Sequence, residues 1–171
     1  MGNSERKKAL ILTIAFECFS IHGYTRSTFK DVARRAGISR ASLYTYFKNK
    51  RDLFITMNQE IDANHYQKSA EIRARSVPDR EKVMDIIHEW IIQPYIDIQG
   101  TPYANGWLDE LVSISKETEQ NFRELFIRSL EPLIGEERAE VIVYSVRGLM
   151  DDRPNVEHLK KRIMIMVNAL V

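Results

Sequence analysis

The sequence has few of the features that mark secreted, membrane-spanning or disulfide-rich proteins. Cys18 is its only cysteine, which excludes an internal disulfide and any site built from several cysteines. No apolar run approaches the roughly 20 residues that a transmembrane helix needs. The start MGNSERKK leads into a segment broken by Thr13 and Glu17, unlike the apolar core of a signal peptide. We therefore expect a cytoplasmic protein without a membrane partner.

Signatures of catalysis and of metal binding are also lacking. The four histidines lie on separate segments, without a neighbouring cysteine or the helical spacing of a metal-binding pair. The serines lack a nucleophile-elbow context, and no glycine-rich phosphate loop is present. We expect no catalytic residue, no metal and no cofactor, and a helical enzyme is the least favoured alternative.

Charge is divided unevenly along the 171 residues, although the net charge is only +1. Through Ile55 there are 11 Lys or Arg residues against four acids, whereas the remainder has 14 basic and 20 acidic residues. A basic first third joined to an acidic remainder is typical of a protein in which one module binds a polyanion. Two solvated faces of opposite charge would give the same counts of charged residues, so this alternative stays open.

Helical periodicity runs through almost the whole chain and predicts an all-α protein. Leu12, Ala15 and Phe19 repeat at three-and-four spacing, and this first helix is expected to end near Gly23. A second helix is expected from a capping-box-like start, in which Thr28 precedes an aspartate by three residues, to a glycine that can adopt the left-handed conformation.

The joint between the second and third helices indicates a helix-turn-helix. Ala33 lets two helices cross closely, Gly37 permits a tight turn, and Ser39 can cap a third short helix through Tyr46. Val32, Ile38 and Leu43 are spaced to bury together beneath this turn. In a helix-turn-helix the second of the two helices lies in the major groove of DNA.

The third helix is expected to present a surface that can bind DNA. Leu43 and Phe47 face inward, which leaves a polar outer arc of Arg40, Ala41, Ser42, Tyr44, Thr45 and Tyr46. Arginine can bond guanine, hydroxyls can bond bases or phosphates, and small methyl groups can contact thymine. Lysine termini such as that of Lys48 suit phosphates. The alternatives to DNA contact are that the two tyrosines are half-buried packing residues and that Lys48 is only a solvated charge.

These residues carry a family resemblance. The segment TFKDVARRAGISRASLYTYFKNKRDLF, Thr28 to Phe54, resembles the DNA-binding signature of the tetracycline-repressor (TetR) family of bacterial transcription regulators. Upstream, ILTIAFECFSIHGYTRSTF, Ile11 to Phe29, is similar to the first helix of that family. The resemblance covers roughly the first third of the chain, and the acidic remainder shows no comparable signature.

The resemblance implies a role for each matching position. Base-reading roles fall on Arg40, Ala41, Ser42, Tyr44 and Thr45, and phosphate-binding roles on Thr28, Ser39, Tyr46 and Lys50. It further implies a DNA-binding domain at residues 1–49, followed by a helical regulatory, ligand-binding and dimerisation domain at 50–171. The expected partners are a double-stranded DNA operator, a small-molecule effector of unknown identity and a second copy of the chain. A ligand-independent architectural DNA-binding protein is the alternative.

The remainder is expected to contain an effector pocket near its helix breakers. A long helix from Lys50 would link the DNA module to the body, and a later helix should kink or end at Pro94. Aromatic and polar residues near the breaks, and on the linking helix, are the candidates for the pocket. They are Trp90, Tyr95, Tyr103, Asn105, Trp107, His65 and Tyr66.

The last two predicted helices, from Glu136 to about Met150 and from Asn155 to Val171, are expected to form the dimer interface. The final helix carries an apolar stripe at three-and-four spacing, and the preceding helix contains a glycine that permits close approach. The resemblance implies a four-helix interface between two subunits, to which Tyr144, Gly148, Leu159, Ile163 and Val167 are assigned. An ordinary core within one chain would produce the same pattern.

Overall fold

A computed structural model describes residues 2–99 and 116–171. Within these ranges all regular secondary structure is helical, which confirms the predicted all-α class. The elements are α1 (Asn3–His22), α2 (Phe29–Arg35), α3 (Arg40–Tyr44), α4 (Lys50–Arg73), α5 (Asp79–Ile87), a π-helical turn (His88–Ile92), α6 (Gln93–Ile98), α7 (Lys116–Ile134), α8 (Glu136–Met150) and α9 (Val156–Leu170). None of the described helices is both long enough and apolar enough to cross a membrane.

Contacts divide the described residues into two compact units. The first unit comprises the residues up to Ile61 together with 116–119, and the second comprises 62–99 and 120–171. The division falls inside α4, which is one continuous helix. The predicted domain boundary between residues 49 and 50 coincides with the start of α4 and lies 12 residues before this division, so it stays a prediction.

The first unit is held together by apolar side chains from α1 to α4. Phe19, Val32, Leu43 and Phe54 are buried, and the rings of Phe19 and Phe54 meet edge to face with centroids 5.6 Å apart. Each such side chain contributes roughly 1.5–3 kcal/mol through burial. Gly23, with φ of 76°, ends α1 at the predicted position.

The second unit has its own core between α5, the π turn, α7, α8 and α9. Pro78 precedes α5, and Gly135 separates α7 from α8 with φ of 82°. The core side chains are aliphatic and aromatic. They include Val83, Ile86, Ile87, Trp90, Phe126, Leu130, Ile142, Val146, Leu159, Ile163 and Val167.

Three residues assigned to the dimer interface belong instead to this intrachain core. Leu159, Ile163 and Val167 are completely buried within a single chain, so the prediction is wrong for them. The stripe that they form on α9 packs against the chain's own helices. Met164 and Ile165, which lie outside that stripe, are exposed.

The helix that begins at Asp79 continues past Pro94. The N–H of Gln93 donates to the carbonyl of His88, five residues earlier, which makes the preceding turn π-helical. Proline lacks an N–H and its ring crowds the carbonyl four residues before it. Because a π turn is wider than an α turn, it can accommodate this disturbance. Of the two outcomes expected at Pro94, an end of the helix is wrong, since α6 extends to Ile98, and the π turn is the local disturbance that accompanies the proline.

Candidate nucleic-acid interface

Helix α2 begins at a reciprocal cap between Thr28 and Asp31. Thr28 Oγ1 accepts the backbone N–H of Asp31 at 3.1 Å, and the Thr28 N–H donates to Asp31 Oδ2 at 3.1 Å. The Thr28 hydroxyl also donates to Oδ2, and these hydrogen bonds hold the pKa of Asp31 below its usual range. The predicted capping box is confirmed, and it fixes the first turn of α2.

The turn between α2 and α3 depends on Gly37 and Ser39. Gly37 has φ of 64°, a left-handed conformation that is strained for residues with a Cβ. The N–H of the next residue, Ile38, bonds back to α2 at 3.0 Å. Ser39 Oγ caps α3 by accepting a backbone N–H at 2.9 Å. Both predicted roles are confirmed, although α3 ends two residues earlier than expected.

The segment from α3 to Phe47 has an inner and an outer face. Leu43 and Phe47 are buried as predicted, whereas Ile38, expected to be buried with them, is only half-buried. The outer face carries all five residues predicted to read bases, together with Tyr46. Arg40, Ala41, Tyr44 and Thr45 are exposed, while Ser42 and Tyr46 are half-buried. The structure therefore places the predicted base-reading residues on one short surface.

Tyr44 connects this surface to the interior of the first unit. Its ring packs against buried Phe29 of α2, with centroids 4.9 Å apart. Its hydroxyl accepts a hydrogen bond from Arg40 Nη2 at 3.1 Å, and the guanidinium carbon of Arg40 lies 5.6 Å from the centre of the ring. Tyr44 thus holds the arginine side chain along the outer face of α3.

Four of the residues predicted to bind phosphate lie around this surface. Thr28, Ser39 and Lys48 are exposed, and Tyr46 is half-buried. The hydroxyls of Thr28 and Ser39 already act as helix caps. The backbone N–H of Lys48 donates to Asp52 Oδ2 at 2.8 Å, which fixes the start of α4 while the lysine side chain extends into solvent.

Lys50, the fifth predicted phosphate ligand, has contacts inside the first unit. Its Nζ donates to the carbonyls of Tyr24 at 2.9 Å and Ser27 at 3.1 Å, and it lies 4.1 Å from the centre of the Tyr24 ring. These bonds fasten the loop between α1 and α2 to the first turn of α4. The sequence gives little sign of them, because the partners are more than 20 positions away.

The residues predicted to line an effector pocket are only partly described. Tyr103, Asn105 and Trp107 lie outside the described residues. Tyr66 is half-buried and lies under the guanidinium of Arg73, 5.6 Å from it. Within residues 2–99 and 116–171, no group of three His, Cys, Asp or Glu side chains is placed to hold a metal ion.

Trp90 and Tyr95 both form contacts between helices of the second unit. The buried indole of Trp90 stacks on Phe126, with centroids 5.1 Å and planes 9° apart, and its Nε1 donates to Ser69 Oγ at 2.8 Å. The Tyr95 hydroxyl donates to the carbonyl of Pro154 at 2.5 Å. These side chains therefore contribute to the packing of the second unit.

His65 joins α4 to the π turn. Its Nδ1 lies 2.9 Å from Glu89 Oε1, which also accepts from Lys68 Nζ at 2.7 Å. Burial lowers the pKa of His65 more than the neighbouring carboxylate raises it. Burial alone would raise the pKa of Glu89, but the bonds from Lys68 and His65 outweigh it and leave that pKa lowered. A neutral His65 donating Nδ1–H to an ionised Glu89 fits both directions.

Asp62 and Asn121 form a buried polar pair that the sequence reading did not select. Asn121 Nδ2 donates to Asp62 Oδ2 at 2.9 Å, and the aspartate is only 5% exposed. Burial raises the pKa of Asp62 to about 7, although the bond from Asn121 lowers it in part. Asp62 lies three residues before His65 and seven before Ser69. This helical spacing is the feature of the sequence that could have placed Asp62 on the same side of α4 as those two residues.

The last two helices expose several apolar side chains. Tyr144 is 57% exposed and Ile165 is 61% exposed, and Val141 and Met164 are also exposed. Gly148 lies one turn beyond Tyr144 and is exposed as well. Two of the five residues assigned to the dimer interface, Tyr144 and Gly148, therefore lie at the surface of the second unit.

Comparison with known proteins agrees with the helix-turn-helix geometry. Residues 11–57 match the family model described as bacterial regulatory proteins, tetR family. The HTH-type transcriptional regulator YhgD of Bacillus subtilis is 35% identical over 77 residues, which are 45% of this chain and 40% of the relative.

Solved structures share the fold over nearly the whole chain. A TetR transcriptional regulator from Legionella pneumophila has a TM-score of 0.72 at 18% identity, covering 100% of this chain and 99% of its own. The transcriptional regulator FadR from Bacillus subtilis, in complex with stearoyl-CoA, has a TM-score of 0.61 at 18% identity, covering 95% of this chain and 98% of its own.

The two kinds of similarity differ in reach. The chain spans less than half the length of the first curated relatives that it matches in sequence. The likeness to solved structures extends further along the chain, but at this low identity it concerns the fold. The sequence match coincides with the capped helices and the outer face of α3. The helix-turn-helix segment of the chain is therefore similar to that of the tetR family of bacterial regulatory proteins, over residues 11–57.

Proposed function

We propose that the protein is a dimeric transcription repressor that leaves a palindromic DNA operator when a small molecule binds its second unit. The observation that carries this proposal is the outer face of α3. Arg40, Ala41, Tyr44 and Thr45 are exposed there on a helix whose start is fixed by Ser39. Such a surface can enter the major groove, where side chains distinguish base pairs.

The proposed division of labour separates residues that read bases from residues that bind phosphate. Arg40 can donate two bonds to guanine O6 and N7, and its contact with Tyr44 keeps the guanidinium extended along α3. The methyl groups of Ala41 and Thr45 suit thymine. The exposed amine of Lys48 suits the phosphate backbone, whereas a phosphate contact by Lys50 requires its amine to leave two carbonyls.

A homodimer is proposed because a palindromic operator requires two copies of α3. The exposed apolar side chains of α8 and α9, among them Val141, Tyr144 and Ile165, supply a surface for a two-fold contact. This surface replaces the interface first expected from the stripe on α9. The two recognition helices would then lie about 34–36 Å apart, or at a multiple of one helical turn of DNA.

Control by an effector follows from linkage between the two binding events. A ligand releases DNA only if it binds more tightly to a conformation whose recognition helices do not fit the operator. Helix α4 is common to both units and is the proposed route for this coupling. Since bacterial DNA is cytoplasmic, we place the protein in the cytoplasm.

Footprinting of the full-length protein on DNA fragments from its own genome tests this function. We expect protection of a palindrome on two successive major grooves, with an affinity that falls steeply with salt according to roughly 6 to 10 phosphate contacts. Protection that is independent of sequence would favour an architectural DNA-binding protein. Affinity that is insensitive to salt would contradict the proposed interface.

A further inference from the structure

The part of α4 that belongs to the second unit carries three polar residues that are buried or half-buried. Asp62, His65 and Ser69 follow one another at three-and-four spacing, so they lie on one side of the helix. His65 bonds to Glu89 and Ser69 accepts from Trp90, so both are joined to the π turn. Asp62 is joined to α7 through the amide of Asn121.

Asp62 differs from its two neighbours because its bonding is incomplete. Its Oδ2 accepts one hydrogen bond from a neutral amide, and among the described residues its Oδ1 has no hydrogen-bond partner and no Lys, Arg or His forms an ion pair with it. A buried carboxylate ordinarily has a positive partner or several donors. Burial accordingly favours the protonated form and raises the pKa of Asp62 to about 7.

Aromatic side chains lie on the π turn and on α7, the helix that carries Asn121. The rings of Trp90, Phe122 and Phe126 form a cluster in which the centroids are 5.1–5.8 Å apart. Phe122 directly follows Asn121 in α7, and the ring of His65 lies 5.3 Å from that of Trp90. Aromatic faces attract organic cations, most strongly where water is excluded.

We propose that Asp62 and Asn121 form the head-group subsite for a protonated amine with an apolar body, and that this is the chemical class of the effector. The identification as effector rests on the proposed function, while the binding site itself does not. The ammonium group would bond to the carboxylate, and the apolar body would lie toward the aromatic cluster. A divalent metal ion fits less well, because one carboxylate and one amide supply too few oxygen ligands.

Matched probes can isolate the charge of the ligand. The ammonium probes are benzylammonium, 2-phenylethylammonium and 4-phenylbutylammonium, each paired with the alcohol of the same length, and 3-phenylpropionate is the anionic control. Calorimetric titration of the full chain without DNA measures the affinities. We expect at least one ammonium ion to bind the wild-type protein at least tenfold more tightly than its alcohol, and the anion to bind more weakly than either.

Three substitutions test whether the preference for the ammonium ion depends on Asp62. Asp62→Asn keeps the shape of the side chain and removes the charge, so the advantage of the ammonium probe over its alcohol should disappear. Asp97→Asn, at an exposed aspartate of α6 that accepts a bond from Gln93, should retain that advantage in full. Asn121→Leu gives a second test, because losing the amide donor should leave the preference for the ammonium ion intact or increased.

Proton release provides a readout that packing changes alone would not produce. At pH 6 the buried carboxyl is mostly protonated, so binding an ammonium ion should expel up to about 0.9 proton, and at pH 8 much less. Titrations in buffers of different ionisation enthalpy measure this number. Asp62→Asn should release none at either pH.

The outcomes separate this inference from the proposed function. Equal affinities for ammonium and alcohol overturn the subsite, as does a preference that survives Asp62→Asn. Absence of ammonium binding by the wild-type protein at 10 mM overturns it too. If an ammonium ion binds through Asp62 but leaves operator binding unchanged, the subsite stands and its role as the effector site fails. If no operator is found, the proposed function fails and the subsite is judged on the titrations alone.

Discussion

Polar side chains of the first unit bond mainly within their own turn, whereas several buried or half-buried ones in the second unit bond between helices. The caps at Thr28 and Ser39 each join groups three residues apart. In the second unit, Trp90 bonds to a residue 21 positions away, His65 to one 24 positions away, and Asn121 to one 59 positions away.

This difference suits the two proposed tasks. A surface that reads DNA must keep its side chains exposed and its short helices fixed, and local caps achieve this without drawing on distant residues. A unit that responds to a ligand benefits from buried bonds between helices, because one bound group can then alter several elements together. Lys50 is an exception in the first unit, since its amine bonds across more than 20 positions, and so is Ser27, whose hydroxyl donates to the carbonyl of Cys18 nine positions away.

The largest effect is expected for Trp90→Ala in the second unit. Loss of a buried indole that stacks on Phe126 should lower the free energy of unfolding by about 3–5 kcal/mol. Urea denaturation measures this change in the free energy of unfolding. Trp90→Phe is the matched control, which keeps an aromatic ring, loses the hydrogen bond to Ser69 and should cost about 1 kcal/mol. Similar losses for both variants would show that the hydrogen bond outweighs the packing.

A charged residue on the exposed face of α9 should weaken the proposed dimer. Ile165→Asp would place two like charges near a two-fold axis, which we expect to cost about 3 kcal/mol of association free energy. Sedimentation equilibrium measures the change. Leu10→Asp alters a similarly exposed apolar residue in the first unit and should leave the dimer intact. A wild-type monomer at micromolar concentration would contradict the interface.

Asp62→Asn should stabilise the protein at alkaline pH. The pKa of Asp62 rises from an ordinary 3.8 to about 7 in the folded chain, so the folded state binds the proton more tightly. Its contribution to stability is therefore full below about pH 4 and is lost as the pH rises toward 7. The upper bound of this loss is about 4 kcal/mol, and we expect the variant to gain about 2 kcal/mol at pH 8.

Urea denaturation at pH 5 and pH 8 tests this prediction. The stability advantage of Asp62→Asn should be larger at pH 8, while Asp97→Asn should follow the wild-type protein at both values. An Asp62→Asn variant with the same pH dependence as the wild-type protein would show that the carboxyl is ionised in the folded state without penalty. The subsite would then lose its energetic basis.

The smallest effects are expected on the free energy of DNA binding, because each variant of the proposed DNA-binding surface removes a single contact. Arg40→Ala should cost about 1–3 kcal/mol and relax preference at one base position. Lys48→Ala should weaken binding to all sequences about equally and reduce the salt slope by about one. Binding to a set of single-base operator variants at several salt concentrations measures both. Identical behaviour of the two variants would remove the division between reading and positioning residues.

Tyr44→Phe sharpens the same comparison. It keeps the ring packed on Phe29 and removes the hydroxyl that accepts from Arg40. If Tyr44 acts by holding the arginine, this variant should show part of the loss seen with Arg40→Ala, at the same base position. A loss spread over all sequences would indicate instead that the hydroxyl contacts phosphate.

The sequence by itself determined the parts of the protein that depend on neighbours in the chain. The caps at Thr28 and Ser39, the left-handed Gly37 and the inward side of α3 all follow from interactions within about four residues. Because such interactions are local, residue type and spacing are enough to predict them. The same locality explains why the family resemblance was visible from a short segment.

Only the tertiary structure decided which surfaces meet. An apolar stripe shows that a helix face is covered, but it does not say by what, and Ile163 proved to face its own chain while Ile165 remained exposed. The partners of Lys50 and Asp62 were likewise invisible, since they come from distant positions. The π turn before Pro94 was also decided by the tertiary structure. A proline disturbs a helix, but the packing around the proline determines whether the helix continues.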